Sequence, residues 1–262
     1  MRRLIQKGLN IVCRNKIERL LPGIREELRA YSNDSETTGT QWVTLYLAMK
    51  GIMRHKPTYI LESGTGSSTL VLAALIQKMR ATDPNYLGEI TSMESVEKWY
   101  KIAIEKLPEK YSNVVEIVLG PRKKFEMGFF RGYVHSNIPT KDYSFVLLDG
   151  PNFIDDNGMA FCADVFRAMD LSNAKVIHGV VDGRTSSVFV IQTMFGFKVA
   201  RYYHSVFVAS FSIPSINFRD PSKKPTRNFK CSLGGRLSFM KFRKWVAHHH
   251  PSSRRDVRII LL

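Results

Sequence analysis

The segment Thr58-Tyr59-Ile60-Leu61-Glu62-Ser63-Gly64-Thr65-Gly66-Ser67-Ser68-Thr69-Leu70, continued by the apolar run from Val71 to Ile76, restricts the fold more than any other stretch. Tyr59 to Leu61 read as a short buried strand, Gly64 and Gly66 as a turn that needs open backbone, and Ser67 to Thr69 as a helix start. A strand that runs through glycines into a helix N-terminus makes a cradle for a nucleotide-type cofactor. Glycine lets the ligand approach the main chain, and free N–H groups with the helix dipole favour anionic or polar atoms. A Gly-x-Gly pair also serves as a plain turn, so Glu62 matters. A carboxylate beside the glycines repels a pyrophosphate but suits a cofactor with an amino group; it equally suits a helix cap or a lysine partner.

Further along, Gly88 to Glu94 reads as a second strand ending in an acid, with a helix from about Val96 to Leu107. Glu94 lies 28 positions after Gly66, more than the ~20 usual in dinucleotide-binding folds. At a strand's carboxyl end it can accept both hydroxyl protons of a ribose, or cap a helix. Asn113 to Leu119 gives a third strand, Gly120-Pro121-Arg122-Lys123-Lys124 a basic loop, and Phe125 to Thr140 an aromatic, irregular stretch. The apolar run Tyr143 to Leu148 is a buried fourth strand that delivers Asp149, followed by Gly150-Pro151-Asn152. Ala160 to Met169 reads as helix, and Ala174 to Val181 as a fifth strand delivering Asp182. Thr185, Ser186 and Ser187 are in place to cap a helix from Val188 to Phe195, and Phe197 to Ile213 fits two antiparallel strands turning near His204-Ser205. This alternation predicts an α/β, doubly wound, mostly parallel sheet, with Glu62, Glu94, Asp149 and Asp182 gathered at its carboxyl edge, where ligands bind.

Three regions follow: a basic helical extension over residues 1–37, the α/β domain over 38–213, and a basic extension over 214–262. In the first, Leu4, Ile5, Leu9, Val12, Ile17, Leu20, Leu21, Ile24 and Leu28 recur at three-four spacing, interrupted at Pro22-Gly23; Gln41 to Met53 forms a further helix leading to the glycine turn. At 262 residues and 44% hydrophobic, the chain can bury one sizeable core. Its longest apolar runs fall far short of the roughly 20 residues of a membrane span. The N-terminus has no secretory pattern, and Cys13, Cys162 and Cys231 are too scattered for a disulfide framework or a metal site, so a cytoplasmic setting is expected. The net charge is +16, and Ser215 to Leu262 carry 12 Lys and Arg against 2 Asp. Such termini attract nucleic acid or an anionic membrane surface, or simply keep a solvated tail soluble. Phe229, Phe239, Phe242 and Trp245 lie among these cations, suited to stacking on bases or sugars or to anchoring the tail, and His248-His249-His250 lack partners at metal-ligand spacing.

Taken together, Leu61-Glu62-Ser63-Gly64-Thr65-Gly66-Ser67-Ser68-Thr69, Glu94 and Asp149-Gly150-Pro151 resemble the first motif, the ribose-binding acid and the motif after the fourth strand of the class I S-adenosylmethionine-dependent methyltransferases. The resemblance covers residues 38–213. It implies a Rossmann-like sheet of about seven strands with a C-terminal antiparallel pair, S-adenosylmethionine as cofactor, and methyl transfer to a hydroxyl of a small molecule or glycan. The cofactor residues it implies are Glu62, Ser63, Gly64, Gly66, Glu94, Ser95 and Asp149: the glycines beside the methionine moiety, Glu62 on its ammonium group, Glu94 on the ribose, Ser95 and Val96 near the adenine. Asp149 and Asp182 are the candidate catalytic bases; His135, His178 and His204 rank below them. After the third strand, where many members place an acid or amide for the adenine amino group, this chain has Gly120-Pro121-Arg122. Asp149 and Asp182 could instead hold a divalent cation, as in the metal-dependent O-methyltransferases; those follow the second acid with another acid or asparagine, whereas Gly183 follows Asp182, so the metal-free reading is preferred. Alternatives are an RNA acceptor bound through the basic tail and a non-catalytic binding or scaffold protein. A dehydrogenase is disfavoured because Thr69 stands where the third glycine of Gly-x-Gly-x-x-Gly belongs.

Overall fold

The computed structural model describes residues 2–32, 41–127, 130–150, 154–155 and 158–215. Three helices open the chain, α1 (Arg2–Leu20), α2 (Ile24–Ser32) and α3 (Trp42–His55). They lead to β1 (Tyr59–Ser63), α4 (Ser67–Thr82), β2 (Glu89–Glu94), α5 (Glu97–Lys106) and β3 (Val115–Leu119). Then come β4 (Arg122–Met127), β5 (Phe130–His135), β6 (Tyr143–Leu148), β7 (Ile154–Asp155), β8 (Gly158–Met159) and β9 (Phe161–Cys162). The described part closes with α6 (Asp164–Leu171), β10 (Val176–Asp182), α7 (Thr185–Phe195), β11 (Ala200–Tyr203) and β12 (Val208–Pro214).

Seven strands form the main sheet in the order β3-β2-β1-β6-β10-β12-β11, with β12 alone antiparallel to its neighbours. The expected doubly wound, mostly parallel sheet with a C-terminal antiparallel pair is therefore present. Its central strands are largely apolar because successive side chains enter different layers. Ile60, Ile90, Phe145, Leu147, Val180 and Val208 join one core, while Leu61, Met93, Val146, Leu148, Val181 and Ala209 join the other; the polar positions of β1 and β2, Glu62, Ser63, Thr91, Ser92 and Glu94, gather toward the carboxyl edge.

The first core is closed by α1 to α4. On α1 the buried residues Leu9, Cys13 and Ile17 recur every four positions, one stripe of the helix. The chain turns at Pro22-Gly23, where Gly23 takes a φ of +86°, and α2 adds Ile24 and Tyr31 to the same core. Among the described residues no helix is long and apolar enough to cross a membrane.

The second core departs from the sequence reading. The basic loop and irregular stretch of residues 120–140 are in fact the antiparallel hairpin β4–β5, and β9 adds to it in parallel as a three-stranded sheet. Phe130, Phe161 and Phe166 pack beneath it; the last two meet edge to face, ring centroids 5.7 Å apart. Gly132 makes this possible, because a Cβ there would lie 2.5 Å from the Phe161 carbonyl oxygen and 2.8 Å from its ring. The helix expected from Ala160 starts only at Asp164, since Phe161 and Cys162 extend to pair with Gly132 and Tyr133. Thr185 to Ser187 lie inside the first turn of α7 rather than capping it. Their hydroxyls are used elsewhere: Ser186 donates to the Ala160 carbonyl at 2.5 Å, and Ser187 accepts from the Cys162 N–H at 2.9 Å.

Candidate functional site

The ladder between strands continues past their ends at the carboxyl edge, and this fixes the loops that carry the acids. Gly64 N–H donates to the Met93 carbonyl at 2.9 Å, Asp149 N–H to Ser63 at 3.0 Å, and Gly120 N–H to Glu94 at 2.8 Å. Gly64 has a φ of +95°, which favours glycine, and a Cβ on it would sit 3.0 Å from the Gly150 nitrogen. Conversely a Cβ on Gly150 would lie 2.7 Å from Gly64 Cα. The turn after β1 and the turn after β6 thus touch main chain to main chain. Gly66 differs: the place of its missing Cβ opens onto free space. It caps α4 without supplying a side-chain acceptor to the helix's first N–H groups.

Glu62 braces this turn from below. It is fully buried, and its Oε2 accepts from Thr69 Oγ1 at 2.6 Å and Ser92 Oγ at 2.7 Å. Thr69 Oγ1 in turn accepts from the Gly66 N–H at 3.0 Å, tying the acid to the helix start. Oε1 is buried without a hydrogen-bond partner among the described residues; the nearby Ser68 hydroxyl favours the charged form without closing a well-shaped bond to it. Burial pushes the carboxyl up to about 7, against the Ser68, Thr69 and Ser92 hydroxyls. An orphaned carboxylate oxygen beneath an open glycine cradle is a fit for the amino group, or a bridging water, of a cationic cofactor.

Glu94, at the end of β2, is 8% exposed. Its Oε1 accepts from the N–H groups of Ser95 at 2.7 Å and Val96 at 2.9 Å. Glu94 therefore organises the loop into α5 with one of its oxygens. Ser95 and Val96, expected near the adenine, have their N–H groups committed to Glu94, which leaves side-chain and apolar contact to an adenine.

On the far side of the turn, Asp149 and Asp182 meet around Arg184. Arg184 Nη1 donates to Asp149 Oδ1 at 3.0 Å and to the Asp182 carbonyl at 3.1 Å, and Nη2 donates to the Asp149 carbonyl. Thr44, buried on α3, donates to Asp182 Oδ1 at 2.5 Å. Burial, then the neighbouring Asp149 carboxylate, raises Asp182 to about 6, opposed by Thr44 and Arg184. Asp149 thus anchors a guanidinium, while burial and the neighbouring Asp149 raise Asp182.

The four strand-end acids lie at the same edge, and Ser63, Gly64 and Gly66 share the turn between them. Ser63 faces inward: its hydroxyl donates to the buried Asp164 at 2.6 Å. His178 lies near the opposite end of β10, stacked on His55 with ring centroids 3.5 Å apart, and is lowered to about 4 by burial and then by His55 and Arg54. It belongs to no site at this edge. Sequence reasoning missed Thr44, Thr69, Ser92, Asp164 and Arg184. Thr69 alone carried a signal, because it follows Gly66 at the capping-box spacing of three.

No protein-family model matches the chain, and no curated protein does either. Solved structures similar to it include an SAH-bound methyltransferase of Podospora anserina, at 16% identity over 64% of this chain and 65% of that one, with a TM-score of 0.41. An O-methyltransferase from Bacillus cereus in complex with SAH is 18% identical over 68% and 76% of the two chains, TM-score 0.41. A SAM-dependent methyltransferase from Aquifex aeolicus is 12% identical over 76% and 96%, TM-score 0.35. The chain spans just under two thirds of the first of these. The fold assignment rests on the strand order and register above, not on these likenesses.

Proposed function

We propose that this chain is an S-adenosylmethionine-dependent methyltransferase acting on a hydroxyl of a small molecule or glycan. The observation that carries the reading is the open cradle at Gly66, with the orphaned Glu62 Oε1 below it and Glu94 at the adjacent strand end. Gly64, Gly66 and the α4 N-terminus would hold the methionine part, Glu62 its ammonium group directly or through water, and Glu94 the ribose. Bound there, the cofactor supplies an electrophilic methyl group on a sulfonium.

The rest is done by the chain's own residues. Alignment of the acceptor oxygen supplies much of the acceleration. Asp182 is the better base of the two acids: Asp149 is engaged by Arg184, whereas Asp182 is raised to about 6 and takes up a proton near neutral pH. Arg184 holds Asp149 in place and carries the fixed positive charge of the pair. The Asp182 carboxylate would take up the acceptor hydroxyl's proton, while the cofactor would give its methyl to that oxygen and leave as S-adenosylhomocysteine.

Calorimetric titration with S-adenosylmethionine and S-adenosylhomocysteine, with NAD as control, tests the cofactor. Saturable binding of the first two is expected, weakened at least tenfold in Glu94→Ala provided the variant stays folded. A folded protein that binds neither, or prefers NAD, overturns the reading. With an acceptor in hand, turnover should rise with pH through about 6 and lose that limb in Asp182→Asn.

A further inference from the structure

Among the described residues three that are not glycine take a left-handed backbone: Lys56, Asn137 and Phe207. Two of them have ordinary reasons. Lys56 ends α3, where a left-handed residue is the usual helix stop, and asparagine visits this region readily. Phe207, at a φ of +57°, has neither. It is a bulky aromatic in the turn over residues 204–207 that joins β11 to β12, a place where glycine or asparagine would sit without strain. A bulky residue held against its backbone preference directs attention to function.

Burial in the same turn is a second observation. His204, Ser205 and Val206 are 3%, 3% and 0% exposed, whereas Phe207 is 40% exposed. The turn buries a histidine and a serine and leaves its phenylalanine to solvent, the reverse of what burial alone selects. Its place in the fold is the carboxyl edge. Asp182 pairs with Val208 on the ladder between β10 and β12. One step farther, the Gly183 N–H donates to the Phe207 carbonyl at 2.9 Å. Phe207 therefore stands across from the residue between Asp182 and Arg184, and its carbonyl holds the loop that carries both. A phenyl group at this position offers an apolar face for a flat ligand, next to polar groups that orient a hydroxyl.

We infer that Phe207 positions the methyl acceptor and that this acceptor is a ring-bearing hydroxyl compound, an aromatic or a sugar ring laid on the phenyl face with its hydroxyl toward Asp182. The inference rests on the methyltransferase reading for the group transferred. Recognition of the ring is a binding event with no covalent step, and it can be measured without the cofactor.

The full chain labelled with 4-fluorophenylalanine tests this by ¹⁹F NMR. The signal of Phe207, one of 16 phenylalanines, is the one missing from Phe207→Asn. Phenol, methyl β-glucopyranoside and hexan-1-ol each carry a hydroxyl and are titrated in turn. A saturable shift of that signal by phenol or by the glucoside is expected, with hexanol bound at least tenfold more weakly, and the ring that binds names the acceptor's class. Ligand-observed spectra should show that binding weakened at least tenfold in Phe207→Asn and kept in Phe207→Trp. Phe207→Asn should hold or raise the denaturant midpoint, because asparagine adopts the turn's backbone more readily. No shift by either ring compound, equal binding of hexanol, full binding in Phe207→Asn, or a lower midpoint in that variant overturns the proposal. None of these readouts uses S-adenosylmethionine. Cofactor binding without ring binding would sink this inference alone, whereas ring binding without cofactor binding would leave Phe207 as a ligand platform and remove the methyl-transfer reading.

Discussion

Glu62 carries its two hydroxyl partners on one oxygen, and full burial pushes its carboxyl up to about 7. A folded-state value above the unfolded one means that the native protein binds more protons between about 4.5 and about 7, so stability falls as pH rises through that window. Glu62→Gln keeps an acceptor for Thr69 and Ser92 and removes the titration. Its stability relative to wild type should therefore grow across the window by on the order of 3 kcal/mol, read from denaturant midpoints at pH 4.5 and 7.5. A pH-independent offset would show that Glu62 keeps an ordinary carboxylate value. Asp164 has the opposite sign. Its lowered value stabilises the fold above the unfolded carboxylate range and is lost as pH falls below about 3.8. Asp164→Ala should cost about 1–3 kcal/mol at neutral pH, because it strands the buried His135 ring donor and the His135 N–H, and the penalty should shrink in acid. The strand-end acids were legible in the sequence because their placement is local: a short apolar strand, then a carboxylate, then a turn. The residues that tune them were not. Thr44 reaches Asp182 across 138 positions and Asp164 reaches Ser63 across 101, distances at which a single sequence carries no pairing signal.

At the scale of elements, Gly132 holds two segments together while Gly66, at the turn after β1, leaves room. Gly132→Ala drives a Cβ into the Phe161 carbonyl and ring, so the contact between the hairpin and β9 must spread, at a cost of about 1–3 kcal/mol. Gly66→Ala meets no atom within 4 Å, so the denaturation midpoint should hold while S-adenosylmethionine affinity drops at least tenfold. Paired measurements of stability and affinity on the two variants separate packing from cradle; a Gly66→Ala protein with unchanged affinity would remove the cradle from the site. The hairpin itself was hard to read because β4 pairs on one side only and presents Arg122, Lys123 and Lys124 to solvent. Charged residues suit such an edge strand and erase the alternation that marks a half-buried one. The central parallel strand β6 was easy for the reverse reason: burial on both faces makes it a nearly continuous apolar run.

For the whole molecule, the uneven charge sets what the protein meets at long range. Just after β12 the Ser215 N–H donates to the Lys175 carbonyl at 3.0 Å and its hydroxyl to the Ala174 carbonyl. The segment from Ser215 on holds 12 Lys and Arg against 2 Asp, within a total of +16, and its aromatic residues stand among those cations. We expect the full chain to bind single-stranded RNA, with an association constant that falls steeply with salt at a log-log slope of about −0.7 per phosphate neutralised. A chain ending at Ser215 should keep its S-adenosylmethionine affinity and lose most of that slope. Fluorescence anisotropy of a labelled oligonucleotide over a salt series, run beside anionic vesicles as competitor, reads both quantities. An unchanged slope after truncation would move the polyanion surface to the folded body. Competition by vesicles at matched charge would show that the tail recognises charge density rather than nucleic acid, and the RNA-acceptor alternative would fall with it.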